Sequence, residues 1–266
     1  MKNIKSGGCL ITCNSGPNII KIMKKCRRRI FTYSLAESDG PDIYPRDIRM
    51  DRFHTSYEAV LNKKSLGSFE LNVPGRHNVE NSLAVILLGL ELGIDIKIIR
   101  RALSKYQGTA RRFQVKADID DIMVVEDYAH HPKEIMATIA ACGNWPGRRI
   151  VGVFQPHRYT RTQFLKKEFG KSFLKLNELI LTDIYPASEK PMGGVTTKII
   201  YDEAVKNGQK NIHLFKKEKI LPYLLKNLKT NDIVLILGAG DIGALSDELA
   251  EGLKTKRQGL LQRTAV

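Results

Sequence analysis

A regular alternation of apolar and amphipathic segments in the second half of the chain restricts the fold more than any other feature. From about residue 112 onward, six apolar segments typical of strands alternate with five amphipathic segments typical of helices. The strands are "RFQVKAD", "IMVVEDY", "RRIVGVF", "ELILTDI", "NIHLF" and "DIVLILGAG", and the helices are "PKEIMATIAAC", "RTQFLKKEFGKSFLKL", "TTKIIYDEAVKNG", "EKILPYLLKNL" and "DIGALSDELAEGLK". Strands separated by helices of this length indicate a mostly parallel sheet covered on both faces. We therefore predict an α/β domain here, with a tail after Lys254 that frays.

The first part of the chain has a different rhythm. "CLITC", a turn with a helix start and "RIFTYS" predict a strand–helix–strand unit, and short runs such as "YEAVL" and "FELNV" predict antiparallel hairpins after it. A buried helix is predicted over 77–94, ended by Gly93, with "IKIIRRALSKYQ" as a second helix. "GTARRF" then breaks the pattern. We place a domain boundary there, which gives domains 1–111 and 112–266.

The charge balance favours anionic partners. The chain has 43 Lys and Arg against 28 Asp and Glu, a formal net charge of +15. These cations are spread along the chain, so we rank phosphorylated small molecules above nucleic acid. No apolar run reaches the roughly 18 residues of a membrane span, and the basic start is too short in apolar residues for a secretory signal. Cys9 and Cys13 lack a second pair that would complete a metal site, and we interpret all four cysteines as reduced thiols of a cytoplasmic protein.

Three polar clusters follow predicted strands. They are "EDYAHHPKE", "FQPHRYTRT" and "GAGDIG". In open parallel sheets, ligands bind in the crevice outside the carboxyl ends of the strands, so we expect these loops to form one site. His130 and His131 precede Pro132, where a histidine can simply cap a helix; with Asp127 and Tyr128 beside them, we favour a functional role.

"PHRYTR" places Arg158 and Arg161 three residues apart at a predicted helix start, and so on one helix face. Cations are disfavoured at a helix N-terminus, which suggests a compensating anion such as a carboxylate or phosphate; two solvated arginines are the alternative. "GAGDIG" echoes a dinucleotide fingerprint, but it follows the last strand, and we interpret it as a tight turn with close helix packing.

"VPGRHNVEN" opens the first long helix. Asn78 and Asn81 face one way and can either cap the helix or bind the donor and acceptor edge of a base. "TARRF" places Arg111 and Arg112 at the boundary, where a guanidinium could reach a phosphate.

Together these motifs resemble the Mur ligase family, the ATP-dependent amino-acid ligases of peptidoglycan synthesis. "PGRHNVEN", "GTARRF", "EDYAHHPKE", "FQPHRYTRT", "DIYPASE" and "GAGDIG" occur in the family's order over nearly the whole chain. The resemblance is greatest to the members that join L-alanine to UDP-N-acetylmuramate. It implies the second half of a central ATP-binding domain, built of strands and two helices, followed by a Rossmann-like carboxyl-terminal domain that binds the amino acid.

The resemblance also implies a reaction. ATP phosphorylates the carboxylate of UDP-N-acetylmuramate, and the amine of L-alanine attacks the acyl phosphate, which forms an amide and releases phosphate. By position, His77, Asn78 and Asn81 match the adenine site, and Asp127 matches an acid that hydrogen-bonds the ribose. Arg112 matches an arginine that reaches the terminal phosphates. The match to the region around the amino acid and acyl phosphate comprises Tyr128, His130, His157, Arg158 and Arg161, with His130, His157 and Arg112 as the catalytic residues.

The sequence departs from the family in three respects. Glu126 replaces the first of two aspartates that usually precede the tyrosine, a change we interpret as modest. No Gly-rich stretch ending in Lys-Ser/Thr is present to cradle ATP phosphates and position Mg²⁺, and the family's Mg²⁺-binding Glu and His are missing. The domain that holds the UDP-sugar is missing too. We expect the chain alone to be unable to hydrolyse ATP, and a separate chain carrying the amino-terminal half is an implied partner.

Three alternatives are open at this point. A related ligase joins UDP-N-acetylmuramate to a recycled tripeptide, although the form of "FQPHRYTRT" argues against it. A non-catalytic remnant could bind a nucleotide or a partner protein, an idea that the missing phosphate loop supports and the retained polar motifs oppose. Nucleic-acid binding would follow from the charge alone and predicts a strongly salt-dependent affinity.

Overall fold

A computed structural model describes residues 4–14 and 16–264 of the chain, with side chains up to residue 258. The chain divides into two compact units, Met1–Gln107 and Gly108–Val266. The first is built on a five-stranded sheet and the second on a six-stranded sheet. The α/β class predicted from the sequence is confirmed in both units.

The sheet of the first unit combines parallel and antiparallel strands. Its strands, which lie side by side in chain order, are β1 (Cys9–Cys13), β2 (Arg29–Tyr33), β3 (Ile43–Asp51), β4 (His54–Leu61) and β5 (Lys64–Leu71). β1, β2 and β3 are parallel, whereas β3, β4 and β5 form antiparallel hairpins. This confirms the predicted strand–helix–strand unit and hairpins. The sequence did not reveal β3, because it contains Pro45 and its register shifts between Arg46 and Arg49.

Three helices belong to this unit: α1 (Pro17–Lys24), α2 (Arg76–Glu91) and α3 (Ile96–Lys105). α2 ends as predicted, because Gly93 adopts a left-handed φ of 73° and the N–H of Ile94 donates to the carbonyl oxygen of Gly89. A Cβ on Gly89 would lie 2.5 Å from Ile99 Cδ1, so this glycine lets α3 pack closely on α2. The buried residues of both helices join those of β4 and β5 in one apolar core.

The sheet of the second unit is mostly parallel. Its strands are β6 (Gln114–Ile119), β7 (Ile122–Asp127), β8 (Arg149–Phe154), β9 (Glu178–Leu181), β10 (Ile212–Leu214) and β11 (Asp232–Leu237). They lie in the order β10-β9-β8-β11-β7-β6, and only the pairing of β6 with β7 is antiparallel. The predicted mostly parallel sheet is therefore confirmed. The last strand is inserted between β7 and β8, which places three loops from distant parts of the sequence side by side.

The helices of this unit are α4 (Pro132–Ala141), α5 (Tyr159–Phe164), α6 (Lys166–Ser172), α7 (Lys198–Lys206), α8 (Lys217–Asn227) and α9 (Ala244–Thr264). Two predictions are wrong. The single long helix expected after "HRY" is two short helices that meet at Leu165, whose φ and ψ of −110° and 17° lie outside the helical region. The tail after Lys254 was expected to fray, but α9 continues to Thr264.

Apolar side chains pack on both faces of the second sheet. Met123 and Val125 of β7 belong to one buried cluster, whereas Val124 belongs to the cluster on the opposite face. This alternation is what a doubly covered parallel sheet requires, and it makes the strands near-continuous apolar runs. No helix within the described ranges has both the length and the apolar character that crossing a bilayer requires.

Candidate functional site

The polar loops of the second unit meet at one edge of its sheet. β8, β11 and β7 are adjacent and parallel, so the residues that follow Phe154, Leu237 and Asp127 emerge together. The N–H of Gln155 donates to Leu237 O at 3.0 Å, and the N–H of Gly238 donates to Asp127 O at 3.1 Å. The three clusters predicted to form one crevice are thus brought together, at the position where open α/β sheets bind ligands.

His130 is held in a defined orientation. Its Nδ1 lies 2.9 Å from the carbonyl oxygen of Tyr128, and its ring packs edge-on against the Tyr128 ring with centroids 5.4 Å apart. Because a carbonyl oxygen can only accept, Nδ1 must carry the hydrogen. The neutral ring therefore has its lone pair on Nε2, which can accept a proton.

His131 has a different role from its neighbour. It is the N-cap of α4, where its Nδ1 accepts from the N–H of Lys133, and Glu134 accepts from the N–H groups of His130 and His131. Burial would raise the pKa of Glu134, but those N–H donors and nearby positive charge outweigh it and hold the pKa below its ordinary value. The capping alternative thus describes His131, while His130 lies against Tyr128 and His157.

His157 is the second histidine of the crevice. Its ring lies 5.6 Å from that of His130 and stacks on Tyr185 at 5.6 Å and 19°. Arg161 Nη1 donates to its Nδ1 at 3.2 Å, so the neutral ring carries its hydrogen on Nε2. Burial lowers the pKa of His157 below its ordinary value, and the charge of Arg161 lowers it further. His157 is therefore a neutral donor at pH 7, with the opposite tautomer to His130.

Arg158 and Arg161 lie close together, but not as predicted. Arg158 precedes α5 with φ 74° and ψ 138°, so it is in the turn before the helix and not on a helix face. Arg161 is in the helix, and its Nη1 also donates to the carbonyl oxygen of His157 at 3.3 Å. Burial lowers the pKa of Arg161, and the charge of Arg158 lowers it further. Two cations and a histidine thus share a region whose electrostatics would favour a bound anion.

Two further arginines flank the Tyr128 ring. Arg112 Cζ lies 5.7 Å and Arg111 Cζ 4.8 Å from the ring centroid. Arg111 also binds the buried carboxylate of Glu126, with Nε 2.7 Å from Oε1, and donates to the carbonyl oxygens of Gly238 and Gly240. Glu126 is therefore a structural partner that fixes Arg111 between β7 and the loop after β11.

Asp127 is buried and already fully engaged within the protein. Its Oδ1 accepts from the N–H of Ala129 at 2.8 Å, and its Oδ2 accepts from the N–H of Phe113 at 3.0 Å and the hydroxyl of Thr138 at 3.1 Å. Burial is the largest effect on its pKa and raises it above the ordinary value, against the lowering effect of these donors. The contact with a ribose stays a prediction, and this geometry favours a structural role.

The loop after β11 is a tight turn. Gly238 has a φ of 151°, and a Cβ on Gly240 would lie 2.4 Å from Gln155 Oε1 and 2.6 Å from Tyr185 Cγ. Gln155 also accepts from the N–H of Ile242 at 3.2 Å. Close packing accounts for these glycines, in agreement with the interpretation made from the sequence.

The first unit has an apolar cavity of its own, about 390 Å³ in volume. It is lined by Leu71, Val73, Asn78, Asn81, Ser82, Val85, Ala102, Leu103 and Tyr106. Asn78 donates its Nδ2 to the carbonyl oxygen of Pro74 at 2.8 Å, which leaves its amide oxygen as an acceptor. Asn78 and Asn81 are thus brought together at one apolar cavity, whereas His77 does not line it. A flat, mostly apolar ligand with a few polar groups fits these walls.

The side chains that the structure describes do not form a metal site of the usual kind. Among the side chains of residues 4–14 and 16–258, no group of three or more from His, Cys, Asp and Glu is placed to hold an ion. Mg²⁺ prefers near-octahedral oxygen ligands, and this chain does not offer a ready set within those ranges.

Comparison with known proteins identifies the family. A family profile described as "Mur ligase middle domain" matches residues 1–89, and one described as "Mur ligase, glutamate ligase domain" matches residues 111–240. The chain belongs to the Mur ligase family.

Individual Mur ligases resemble the chain over most of its length. A UDP-N-acetylmuramate--L-alanine ligase of Pelotomaculum thermopropionicum is 39% identical over 97% of this chain and 56% of its own length. The crystal structure of the alanine ligase MurC from Thermotoga maritima superposes with a TM-score of 0.70 at 28% identity, covering 85% of this chain and 48% of that chain. A Thermotoga maritima MurF ligase in complex with ADP shares the fold, with a TM-score of 0.69 at 18% identity, over 94% of this chain and 54% of that one. The chain spans about half the length of the curated relatives it matches.

Contacts in the site give roles to Tyr185 and Glu189, which the motifs did not single out, and to Arg111, which the sequence placed only at the domain boundary. Tyr185 stacks on His157, Glu189 binds Thr160, and Arg111 lies over Tyr128. "DIYPASE" and "GTARRF" contain these residues, but only their contacts with distant loops show what they do. The second arginine of "GTARRF", Arg112, was chosen from the resemblance; its reach toward phosphates stays a prediction.

Proposed function

We propose that this chain carries the adenine-binding and amino-acid-binding parts of a ligase that joins L-alanine to UDP-N-acetylmuramate at the expense of ATP. The observation that carries the proposal is the convergence of His130, His157, Arg158 and Arg161 at the carboxyl edge of the second sheet. The similarity to proteins named as UDP-N-acetylmuramate--L-alanine ligases over more than nine-tenths of the chain supports it.

The chemistry of each side chain suits an attack by an amine on an acyl phosphate. In this proposal, Arg158 and Arg161 bind the carboxylate of L-alanine, because guanidinium groups pair with carboxylates in a fork geometry. His130 Nε2 accepts a proton from the ammonium group, which frees the amine lone pair for attack. His157 Nε2–H donates to the oxygen on which negative charge develops, and Arg112 neutralises the phosphoryl group.

The cavity of the first unit would bind the adenine of ATP. Apolar side chains would cover the faces of the base, and the amides of Asn78 and Asn81 would bind its edge. ATP supplies the phosphoryl group that activates the sugar carboxylate. The described side chains do not form a suitable set of ligands for Mg²⁺. A partner chain that supplies the phosphate loop, and a cytoplasmic location, are part of the proposal.

The test joins this chain to the amino-terminal half of the Pelotomaculum relative and measures L-alanine-dependent release of phosphate from ATP. We expect the fusion to ligate L-alanine in preference to the tripeptide, while the chain alone releases no phosphate. The adjacent histidines provide a matched pair. His130→Asn should lose about 100-fold or more in kcat, because a proton acceptor is removed. His131→Asn should stay within about twofold, because asparagine also caps helices well.

Two outcomes would overturn the proposal. One is equal activity in the His130→Asn and His131→Asn fusions. The other is a fusion that binds adenosine and the UDP-sugar but releases no phosphate when L-alanine is added. Preference for the tripeptide would instead assign the chain to the recycling reaction.

A further inference from the structure

Arg158 has a backbone conformation that is normally reserved for glycine. Its φ of 74° and ψ of 138° place it in a region that is strained for any residue with a Cβ. The surrounding hydrogen bonds enforce this conformation. The N–H of Arg158 donates to the carbonyl oxygen of Tyr185 at 2.8 Å, and its own carbonyl oxygen accepts from the N–H and hydroxyl of Thr162 at 3.2 and 2.8 Å.

Tyr185, which accepts from the N–H of Arg158, begins the segment 185–189, which follows β9. The N–H of Tyr185 donates to the carbonyl oxygen of Pro156 at 2.8 Å, so Tyr185 is bonded to the main chain on both sides of His157. Its ring also stacks on that of His157. Ala187 and Ser188 both have positive φ values, of 47° and 71°, and this turn brings Glu189 back toward the start of α5.

Glu189 completes the attachment. Its Oε2 accepts from the N–H of Thr160 at 3.0 Å, and its Oε1 accepts from the Thr160 hydroxyl at 2.6 Å. These bonds lower the pKa of Glu189 below its ordinary value, and the charge of Arg158 contributes in the same direction. Glu189 is therefore ionised at neutral pH and tethers the residues that follow Arg158, 29 positions away in the sequence.

The strained turn has a consequence for the crevice. It holds the backbone of Arg158 directly after His157 and at the start of the helix that carries Arg161. Burial lowers the pKa of Arg161 and the positive charge of Arg158 lowers it further, so like charges repel each other at this turn. Strain and charge repulsion at one site are typical of a prearranged binding site, since a bound anion relieves the repulsion.

We propose that Tyr185 and Glu189 are positioning residues, which hold Arg158 in its glycine-like conformation so that Arg158 and Arg161 converge on one oxyanion. The chemical class of the ligand is a carboxylate or a phosphoryl group. The identification of this anion as part of an amino acid or an acyl phosphate rests on the proposed function. The convergence of Arg158 and Arg161 does not depend on that function.

The first test separates the tether from its charge. Glu189→Gln and Glu189→Ala both remove a negative charge near Arg158, but only glutamine can still accept from the Thr160 N–H and pair with its hydroxyl. We expect Glu189→Gln to bind inorganic phosphate at least about fivefold more tightly than Glu189→Ala, measured by calorimetry at low ionic strength. Equal affinities, including no binding by either variant, would overturn the proposal, as would tighter binding by Glu189→Ala.

The second test measures the strain directly. Arg158→Gly and Arg158→Ala both remove the guanidinium, but only glycine adopts this φ without strain. We expect the Tm of Arg158→Gly to exceed that of Arg158→Ala by about 2–10 °C. Adding Glu189→Ala should lower the Tm less in the Arg158→Gly background than in the original chain. With glycine at position 158 the turn is unstrained, so it no longer needs Glu189 to hold its conformation.

Equal Tm values for the two Arg158 variants, or equal effects of Glu189→Ala in both backgrounds, would contradict the inference. Neither test measures ligation. A chain that failed to ligate L-alanine in the fusion assay would disprove the proposed function and leave these measurements intact.

Discussion

Replacing Asp127 should show that its main role is to hold the second unit together. Its carboxylate satisfies two buried backbone N–H groups, those of Phe113 and Ala129, and the hydroxyl of Thr138. Asp127→Ala leaves both N–H groups without this acceptor. A buried donor left unsatisfied costs about 1–3 kcal/mol, so the loss should be about 2–6 kcal/mol. The lower part of this range is favoured, since the variant also removes the cost of burying a carboxylate whose pKa is raised.

Two milder variants calibrate this expectation. Asp127→Asn can turn its amide oxygen toward Phe113 and Thr138 and should lose only the bond to Ala129, at about 1–3 kcal/mol. Thr138→Val removes the hydroxyl that Asp127 shares with the carbonyl oxygen of Glu134 and keeps both backbone bonds of Asp127, at about 0.5–1.5 kcal/mol. Asp127→Ala should therefore be the most destabilised of the three variants, followed by Asp127→Asn and then Thr138→Val.

Urea unfolding followed by tryptophan fluorescence suits this measurement. The single tryptophan, Trp145, lies in the second unit and stacks on Phe113 at 5.7 Å and 13°, so its emission reports on the region that Asp127 holds. Because the first unit has no tryptophan, its unfolding does not contribute to the tryptophan emission. If Asp127→Ala were no less stable than Thr138→Val, the structural argument would be wrong. Unchanged stability with weakened adenosine binding would support the ribose contact instead.

Three further predictions concern other parts of the chain. Arg149→Met should reduce the free energy of unfolding by about 3–5 kcal/mol, because Arg149 pairs with the carboxylates of Glu178 and Asp232, which are only 4% and 2% exposed. As a control, Lys198→Met removes an exposed ion pair with Asp202 and should cost less than about 0.5 kcal/mol. Since the folded state lowers the pKa of His157 below 6.5, its contribution to stability is complete above pH 6.5 and is lost below it. His157→Phe should therefore flatten the fall in urea midpoint as the pH drops below 6.5, and an unchanged slope would contradict this. Asn81→Leu should weaken adenosine binding about tenfold in calorimetry, whereas Asn18→Leu, which lies outside the cavity, should not change it. If the two variants bound adenosine with equal affinity, the cavity would be excluded as the adenine site.

The edge of the sheet that carries the crevice could be predicted because its signal is local. Apolar runs marked the strands, and the polar residues that followed them marked the carboxyl ends. His130 and His157 lie in the loops that this argument indicated, whereas Arg158 lies in the turn before α5 and does not share a helix face with Arg161. The break at Leu165 could not be predicted, because no glycine or proline marks it. The extension of α9 could not be predicted either, because the tail after Lys254 is basic and polar and contains Gly259.

The roles of individual side chains depended on neighbours that no local pattern reveals. The adjacent histidines His130 and His131 are indistinguishable in sequence, yet one lies against the rings of the crevice and the other caps α4. Asp127 looked like a ligand-binding acid in its motif. Its three donors come from residues 2, 11 and 14 positions away, and they became visible only in the folded unit.

The sequence by itself determined the class of each unit, the parallel sheet and the loops that form the site, because these depend on residue periodicity and on where a strand ends. The tertiary structure decided what each polar side chain binds. Inserting β11 between β7 and β8 brings Arg111 to the carbonyl oxygen of Gly238, 127 positions away. The turn after β9 brings Glu189 to Thr160 and strains Arg158. Such contacts join segments that are distant in the chain, so they leave no periodic trace in the sequence and arise only when the sheet orders its loops.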